Sequence, residues 1–471
     1  MEMYIAGRWC AGSKKTEVIH PFDGRVLDSV PQAGPDDVEQ ALAAAVRGAA
    51  AMARLSAYER YEILRRAATA IEAHQEEMAR TITLEEGKIL AEARAEVARA
   101  VQTLTIAAEE AKRLYGETIP LDAAPGVQGK LGLTWRVPCG VVVAVSPFNF
   151  PLNLMAHKVA PAIAAGNAVI LKPPSSTPLS ALTLTRLLLE SGLPPEGIAC
   201  ITGPGAEVGE ALCRDPRVRK VSFTGSVPVG EQICRAAGIK KVTMELGGNA
   251  PLVVLADADL ERAATAIAAT GYGNAGQVCI SAQRVIAGRE IYEDLIALTK
   301  AKVASLTAGD PSDAATKVGP LVREAEAIRV QGWIAEAVGA KARLVIGNER
   351  QGAVLSPTIV ADVTPEMRLA KDELFGPAVA FMPAASPAEA LALANRSRFG
   401  LAASVFTRDV DKALRMAQGL EAGSVHVNYG PQWRADLMPY GGFKDSGFGK
   451  EGPRYAVLEM TELKMVVLHL E

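Results

Sequence analysis

Gly140-Val-Val-Val-Ala-Val145, running straight into Ser146-Pro-Phe-Asn149-Phe-Pro151, is the stretch on which the fold turns. A short apolar run rich in β-branched residues and ending in a polar island is the pattern of a parallel strand buried on both faces. Downstream the pattern alternates. A helix is expected at about 152–165, a strand at Ala168-Val-Ile-Leu171, and a turn at Lys172-Pro-Pro-Ser-Ser-Thr-Pro178. Then come a helix at 179–191, a strand at 198–202, a helix at 207–214, a strand at 218–223, a helix at 229–237 and a strand at 241–246. Strands alternating with helices of this length give the βαβ rhythm of a doubly wound parallel sheet. The rhythm restarts with the strand Ala250-Pro-Leu-Val-Val-Leu255 and a helix at 259–270, and a second α/β set runs to about 435. No period of 20–50 residues repeats, which excludes a solenoid.

Upstream, residues 1–35 carry turn signals (Ala6-Gly7-Arg8, Pro21-Phe-Asp-Gly24) between short β-like runs. From Pro35 the pattern becomes helical, and Pro35-Asp36-Asp37 suits a helix start. The last helix of this region is expected at 90–115. Residues 116–135 are polar and marked by Gly and Pro, as in an extended hairpin or arm. The tail ends in the β-like Leu463-Lys-Met-Val-Val-Leu468.

The chain has 471 residues, so two or three domains are expected. A net charge of −3 gives no electrostatic reason for nucleic-acid or membrane-surface binding. The longest apolar runs fall well short of the ~20 residues a spanning helix needs. The first residues carry no secretory signal pattern, and the six cysteines form neither a CxxC pair nor a zinc-ligand spacing, so no metal site is expected. Reduced thiols in a cytoplasmic enzyme are the expectation.

Three polar groups stand out at the ends of greasy segments. Cys279 follows the loop Gly271-Tyr-Gly-Asn-Ala-Gly276 and Gln277-Val278. It is either a buried structural cysteine or a nucleophile, which must ionise to attack. Glu245, between Met244 and Leu246 and before Gly247-Gly248, is a salt-bridged strand end or a general base with raised proton affinity. Asn149 is a turn residue between Pro147 and Pro151 or an amide donor to an oxyanion. On another edge, Phe223-Thr-Gly225-Ser226-Val-Pro-Val-Gly230 is an ordinary turn or a place where backbone meets phosphate. Lys172, at a strand's C-terminal end, is a surface lysine or a ribose or phosphate donor. The residues after it include no acid, so Lys172 and Ser175 could accept a 2′-phosphate that a carboxylate would repel.

Taken together, these stretches resemble the aldehyde dehydrogenase superfamily over essentially the whole chain. The matching motifs, in order, are Ser146-Pro-Phe-Asn-Phe-Pro151, Lys172-Pro, Phe223-Thr-Gly-Ser226, Glu245-Leu-Gly-Gly248, Gly276-Gln-Val-Cys279, Glu373-Leu-Phe-Gly-Pro377 and Pro439-Tyr-Gly-Gly-Phe-Lys444. The resemblance implies a Rossmann-like cofactor domain (1–115 and 136–246), an α/β catalytic domain (247–440) and an oligomerisation arm (116–135 and 455–471) that builds a homodimer or homotetramer. It implies that Cys279 forms a thiohemiacetal with the aldehyde, that hydride leaves to NAD or NADP, and that Glu245 activates water to hydrolyse the thioester. Asn149 and the Cys279 backbone N–H would form the oxyanion hole, and Lys158 would assist proton relay. Ser146, Pro147, Phe148, Lys172, Ser175, Gly225, Ser226, Leu246, Glu373 and Phe375 would hold the cofactor. Ser175 stands where NAD-preferring members carry glutamate, so NADP use is expected.

Aligning outward places Arg99, Asn153, His157, Arg434 and Tyr440 along the substrate funnel. Such a funnel suits a small polar or anionic aldehyde, as in the lactaldehyde, glyceraldehyde and semialdehyde branches. Otherwise Arg99 pairs with Glu96, and Arg434 with Asp436, by simple proximity. A CoA-acylating enzyme would not need Glu245. A non-catalytic binding protein would not need Cys279, Glu245 and Asn149 together.

Overall fold

A computed structural model describes residues 1–470; Glu471, the last residue of the expected arm, lies outside the described residues. Gly140-to-Val145 forms β1 (Val141–Val145), and the expected alternation follows as β2 (Ala168–Lys172), β3 (Ile198–Cys200), β4 (Val218–Thr224) and β5 (Lys241–Glu245). Their order across the sheet is β3-β2-β1-β4-β5, all parallel. The order reverses between β1 and β4, and open α/β sheets bind ligands beyond the strand ends at such a reversal. Those ends are occupied by Ser146, Lys172, Gly225 and Leu246, which follow or close their strands.

Three short strands extend this sheet, Arg8–Cys10 lying outermost against Met3–Ile5. Met3–Ile5 lies antiparallel on β3, and Gly447–Phe448 lies antiparallel on β5. Gly447–Phe448 returns the far end of the chain to the strand that carries Glu245. The helix Asn153–Ala164 is buried on every face, with Pro161 inside it. A helix buried all round, Asn153, His157 and Lys158 included, needs cover on all sides. The sheet covers one side, and the helices Leu90–Ala111 and Pro453–Glu459 cover others.

The second set forms its own sheet from β6 (Ala250–Val254), β7 (Ala282–Gly288), β8 (Arg343–Ile346), β9 (Thr358–Ala361), β10 (Ala378–Ala384), β11 (Ala402–Phe406) and β12 (Ser424–Val427). The order is β8-β9-β10-β7-β6-β11-β12, with only β8 antiparallel to its neighbour. The arm is a third sheet: Thr461–His469 pairs antiparallel with Lys130–Pro138 from Thr461↔Pro138 to His469↔Lys130. The arm strand therefore runs three residues past the expected end at 135.

Other boundaries moved for local reasons. The helix expected to reach 115 stops at Ala111. The segment at 207–214 splits into a π-helical turn, Gly205–Gly209, and a helix, Glu210–Arg214. The helix expected from 229 starts at Val227, because Pro228 lacks only an N–H that a first turn leaves unpaired anyway. No described helix is long and apolar enough to cross a membrane.

Candidate active site

The loop before Cys279 is held in an uncommon backbone. Asn274 and Ala275 sit at φ 50° and 53°, and Gly276 at φ 71°. Left-handed non-glycine residues are strained and persist only where their surroundings over-determine them. Here Asn274 N–H donates to both oxygens of Glu92 (3.1 and 3.0 Å), and its Nδ2 donates to Glu86 (3.0 Å) and to the Asn149 carbonyl (3.2 Å). A side chain at Gly276 would collide with the Gly376 backbone. The loop thus delivers Cys279 next to β7, with its sulfur at the junction of two cavities.

The first cavity is a cleft of about 1480 Å³ beyond the ends of β1, β2, β4 and β5. All ten residues expected to hold the cofactor line it: Ser146, Pro147, Phe148, Lys172, Ser175, Gly225, Ser226, Leu246, Glu373 and Phe375, and Cys279 closes its floor. Ser226 precedes the helix Val227–Ala237, whose first N–H groups are free for an anion. Lys172 Nζ meets only the Pro173 carbonyl (2.6 Å), and burial lowers its pKa to about 8. Glu373 accepts from Gly248 N–H (2.9 Å), and burial raises it to about 7. Phe148 and Phe375 stack edge-to-face across the cleft with centroids 5.8 Å apart. These donors and the bare Gly225 fit a dinucleotide. Ser175 Oγ donates to the Gly203 carbonyl (3.2 Å), and no carboxylate lies beside it in the sequence.

The second cavity is a funnel of about 780 Å³ lined by Arg99, Asn153, Arg434 and Tyr440, among others, with Cys279 at its base. His157 does not line it. Neutral and buried, His157 stands behind the wall, its Nε2–H donating to Asp436 (2.9 Å) while Nδ1 faces Arg434 (3.4 Å). Burial, helped by the Arg434 charge, lowers its pKa to about 4.

The funnel arginines are paired, but not with their sequence neighbours. Arg99 reaches Asp436 through Nε (3.2 Å) and Nη2 (2.8 Å). Glu96 instead takes Lys88 and caps the helix Asn153–Ala164 by accepting from Leu152 and Asn153 N–H. Arg434 pairs with Glu451 (3.3 Å) and lies over the Tyr440 ring at 3.8 Å. What stays free is Arg434 Nε, buried without an acceptor.

Glu245 is 2% exposed, and neither carboxylate oxygen has a hydrogen-bond partner. Burial raises its proton affinity strongly, the Glu451 charge adds to this, and Arg434, Lys158 and Lys450 oppose it. Lys158 Nζ donates to Thr224 Oγ1 and Glu451, each at 2.6 Å. Despite burial, Lys158 and Arg434 hold Glu451 at about 2. Asn149 Nδ2 donates to the Gln277 carbonyl (2.7 Å), next to the cysteine loop. Cys279 Sγ lies 3.0 Å from Tyr440 Oη. Burial pushes the thiol up to about 12; Glu373 and Glu245 add to this, and the Tyr440 contact and Arg434 oppose it. All six cysteines are free.

Lys88, Glu86, Glu92, Glu96, Asp436 and Glu451 escape a reading of the sequence as functional. Each is one charge in a charged helix or loop. Their one local signal is the pair Glu85-Glu86 beside Gly87-Lys88, where the helix Gln75–Glu86 ends at a left-handed glycine.

A thiol set between a cleft that fits a dinucleotide and a polar funnel, with an unpaired buried carboxylate nearby, is the arrangement of a dinucleotide-dependent oxidoreductase. The chain belongs to the aldehyde dehydrogenase family, whose family model matches residues 9–466. It is an NAD(P)-dependent enzyme that oxidises aldehydes to carboxylic acids. The 3-sulfolactaldehyde dehydrogenase of Priestia aryabhattai is 44% identical over 468 residues, 99% of this chain and 98% of that one. Aldehyde dehydrogenase 21 from Physcomitrella patens, solved in complex with the reaction product succinate, matches with a TM-score of 0.97 at 39% identity over 99% of this chain and 98% of that chain. The NADP-dependent glyceraldehyde-3-phosphate dehydrogenase of Bacillus halodurans C-125, complexed with NADP, matches with a TM-score of 0.98 at 36% identity over 100% and 99%.

Proposed function

We propose that this chain oxidises a small aldehyde carrying a hydroxyl or anionic group, with Cys279 as nucleophile and Glu245 as the base for thioester hydrolysis. The observation that carries the assignment is that Cys279 lines both cavities, so one sulfur can hold a substrate carbon against a cofactor. Cys279 Sγ attacks the aldehyde carbon, and the resulting oxyanion takes N–H donors from Asn149 Nδ2 and the Cys279 backbone. Lys172, Glu373 and the Gly225–Ser226 turn would hold NAD(P)+, which would supply the hydride acceptor. Glu245 then removes a proton from water as it attacks the thioester. A buried carboxylate without partners suits hydrolysis and has no task in acyl transfer to CoA. Lys158, hydrogen-bonded to Thr224 and Glu451 and close enough for its charge to act on Glu245, assists relay of that proton.

The polarity of the substrate rests on narrower ground than unpaired arginines would give. Arg99 and Arg434 are matched by Asp436 and Glu451, and Arg434 Nε, though without an acceptor, is itself buried, so the funnel offers polar side chains rather than an open cation. The 3-sulfolactaldehyde, glyceraldehyde 3-phosphate and product succinate named for the relatives all carry an anionic group, in keeping with a polar funnel. Ser175 beside Lys172 favours NADP+. The enzyme acts in the cytoplasm as a homo-oligomer joined through its arm.

Initial rates with lactaldehyde, succinate semialdehyde, hexanal and benzaldehyde, each with NAD+ and NADP+, test this. Expected are faster turnover of the polar pair and use of NADP+. Preference for the apolar pair refutes the polar funnel, and activity with NAD+ alone refutes the cofactor assignment. Cys279→Ala abolishes aldehyde-dependent NAD(P)H formation; residual wild-type turnover refutes the nucleophile.

A further inference from the structure

Tyr440 touches the reacting atom, yet the chemistry above gives it no task. Its hydroxyl is 3.0 Å from Cys279 Sγ and makes no other hydrogen bond. A buried phenol at 5% exposure needs an acceptor, and the sulfur is the one in reach. Two constraints fix it there. Its backbone exchanges both hydrogen bonds with Glu451 (3.1 and 2.7 Å), and the Glu451 carboxylate holds Arg434 flat over the ring at 3.8 Å. A guanidinium on the ring face draws electron density from the phenol and strengthens its O–H as a donor.

We propose that Tyr440 is a catalytic residue whose O–H donates to the Cys279 sulfur whenever that sulfur carries negative charge. This rests on Cys279 being the nucleophile. In the thiol, either atom can donate. In the thiolate only the phenol can, so ionisation gains a charge-assisted hydrogen bond that the thiol lacks. The other charged groups facing the sulfur are Glu373, Glu245 and Arg434, and two of these three disfavour the thiolate. Those facing the phenol are Arg434 and Glu245. Tyr440 is thus the one neutral donor offsetting two carboxylates.

It acts twice. In the attack the thiol has already lost its proton to solvent, the sulfur pair forms the C–S bond, the carbonyl pair moves to oxygen, and the phenol releases its hydrogen bond. In deacylation the water oxygen bonds to the acyl carbon as its proton passes to Glu245, the C–S bond of the tetrahedral adduct breaks with its pair on sulfur while the carbonyl re-forms, and the phenol donates to the leaving thiolate. Tyr440 keeps its proton throughout.

The test is the ionisation midpoint of Cys279 in the full-length enzyme. It is read from thiolate absorbance against Cys279→Ala, and from the pH profile of iodoacetamide alkylation with Cys279 followed by peptide mass. In Tyr440→Phe the midpoint is expected about one pH unit higher. Alkylation below the midpoint then falls only about threefold, because a thiolate freed of its donor is the better nucleophile. kcat falls with KM little changed. A midpoint equal to wild type, with or without a uniform slowing, overturns the proposal. If Tyr440→Phe does not fold, 3-fluorotyrosine incorporated at position 440 keeps the ring and strengthens its O–H as a donor without touching Arg434: a midpoint shifted downward supports the proposal and an unshifted one overturns it. Neither result bears on whether Cys279→Ala is inactive, so failure here is separable from failure of the nucleophile assignment.

Discussion

Glu245 gains its chemistry from what it lacks. Both its oxygens are buried without a donor, beside a second carboxylate, so the charged form is disfavoured and proton affinity rises. Such a group is a strong base once ionised, and deacylation should climb with pH through its raised pKa. Glu245→Gln keeps the shape and removes the base. Expected is one NAD(P)H per site in a burst, followed by steady turnover slowed by about 10²–10⁴-fold; loss of the burst would place Glu245 in an earlier step. The same residue sets a stability trend. A folded pKa above the unfolded value means that the folded state binds more protons, so wild-type stability is full below about pH 4.5 and is lost as pH rises towards the folded pKa. Glu245→Gln lacks this loss. Thermal unfolding should find the variant gaining on wild type as pH rises from about 4.5, and a constant gap would mean that folding leaves the Glu245 pKa unshifted.

Among the elements, the helices Gln75–Glu86 and Leu90–Ala111 support both loops of the active site. Lys88, between them and 1% exposed, donates to Glu96 and to the Asn149 carbonyl, and its ammonium lies 3.8 Å from the Phe150 ring centroid. Glu96 caps the helix that follows Asn149. Glu92 and Glu86 hold Asn274 in its left-handed conformation. One short stretch, Glu85 to Glu96, therefore fixes the oxyanion donor and the cysteine loop against each other. Lys88→Met leaves Glu96 charged, buried and unpaired, which costs about 3–5 kcal/mol of stability. Denaturant unfolding measures that loss, and a change under about 1 kcal/mol would mean that Glu96 finds another partner. Activity should also fall, because Asn149 loses the contact that fixes its backbone.

For the whole molecule, the sequence was informative where structure is local. β1 to β5 follow from apolar runs and turn residues, and all ten expected cofactor residues line one cleft because each closes or follows one of those strands or joins Glu373 opposite. Pairing across the chain was not legible. Arg99 meets Asp436 across 337 positions and Lys158 meets Glu451 across 293, while proximity favoured Glu96 and Asp436 as arginine partners. Alignment outward from the motifs puts His157 in the funnel, but the helix turns it behind the wall to Asp436. The arm depends on long-range pairing too, yet its β-like tail gave it away. Leu463, Met465 and Val467 share one face of the outer strand and are 58%, 44% and 38% exposed in the single chain. Strand Thr461–His469 is also an edge, with a row of backbone groups open to another chain. A flat apolar edge of this kind is stable in solution when a second copy covers it. Charging its face by Leu463→Lys with Val467→Lys leaves the nine-residue ladder to Lys130–Pro138 intact but sets like charges against each other across any interface between copies. Sedimentation velocity should therefore find the double variant as a monomer that still binds NADP+, whereas an oligomer that survives both lysines would move the interface away from the arm.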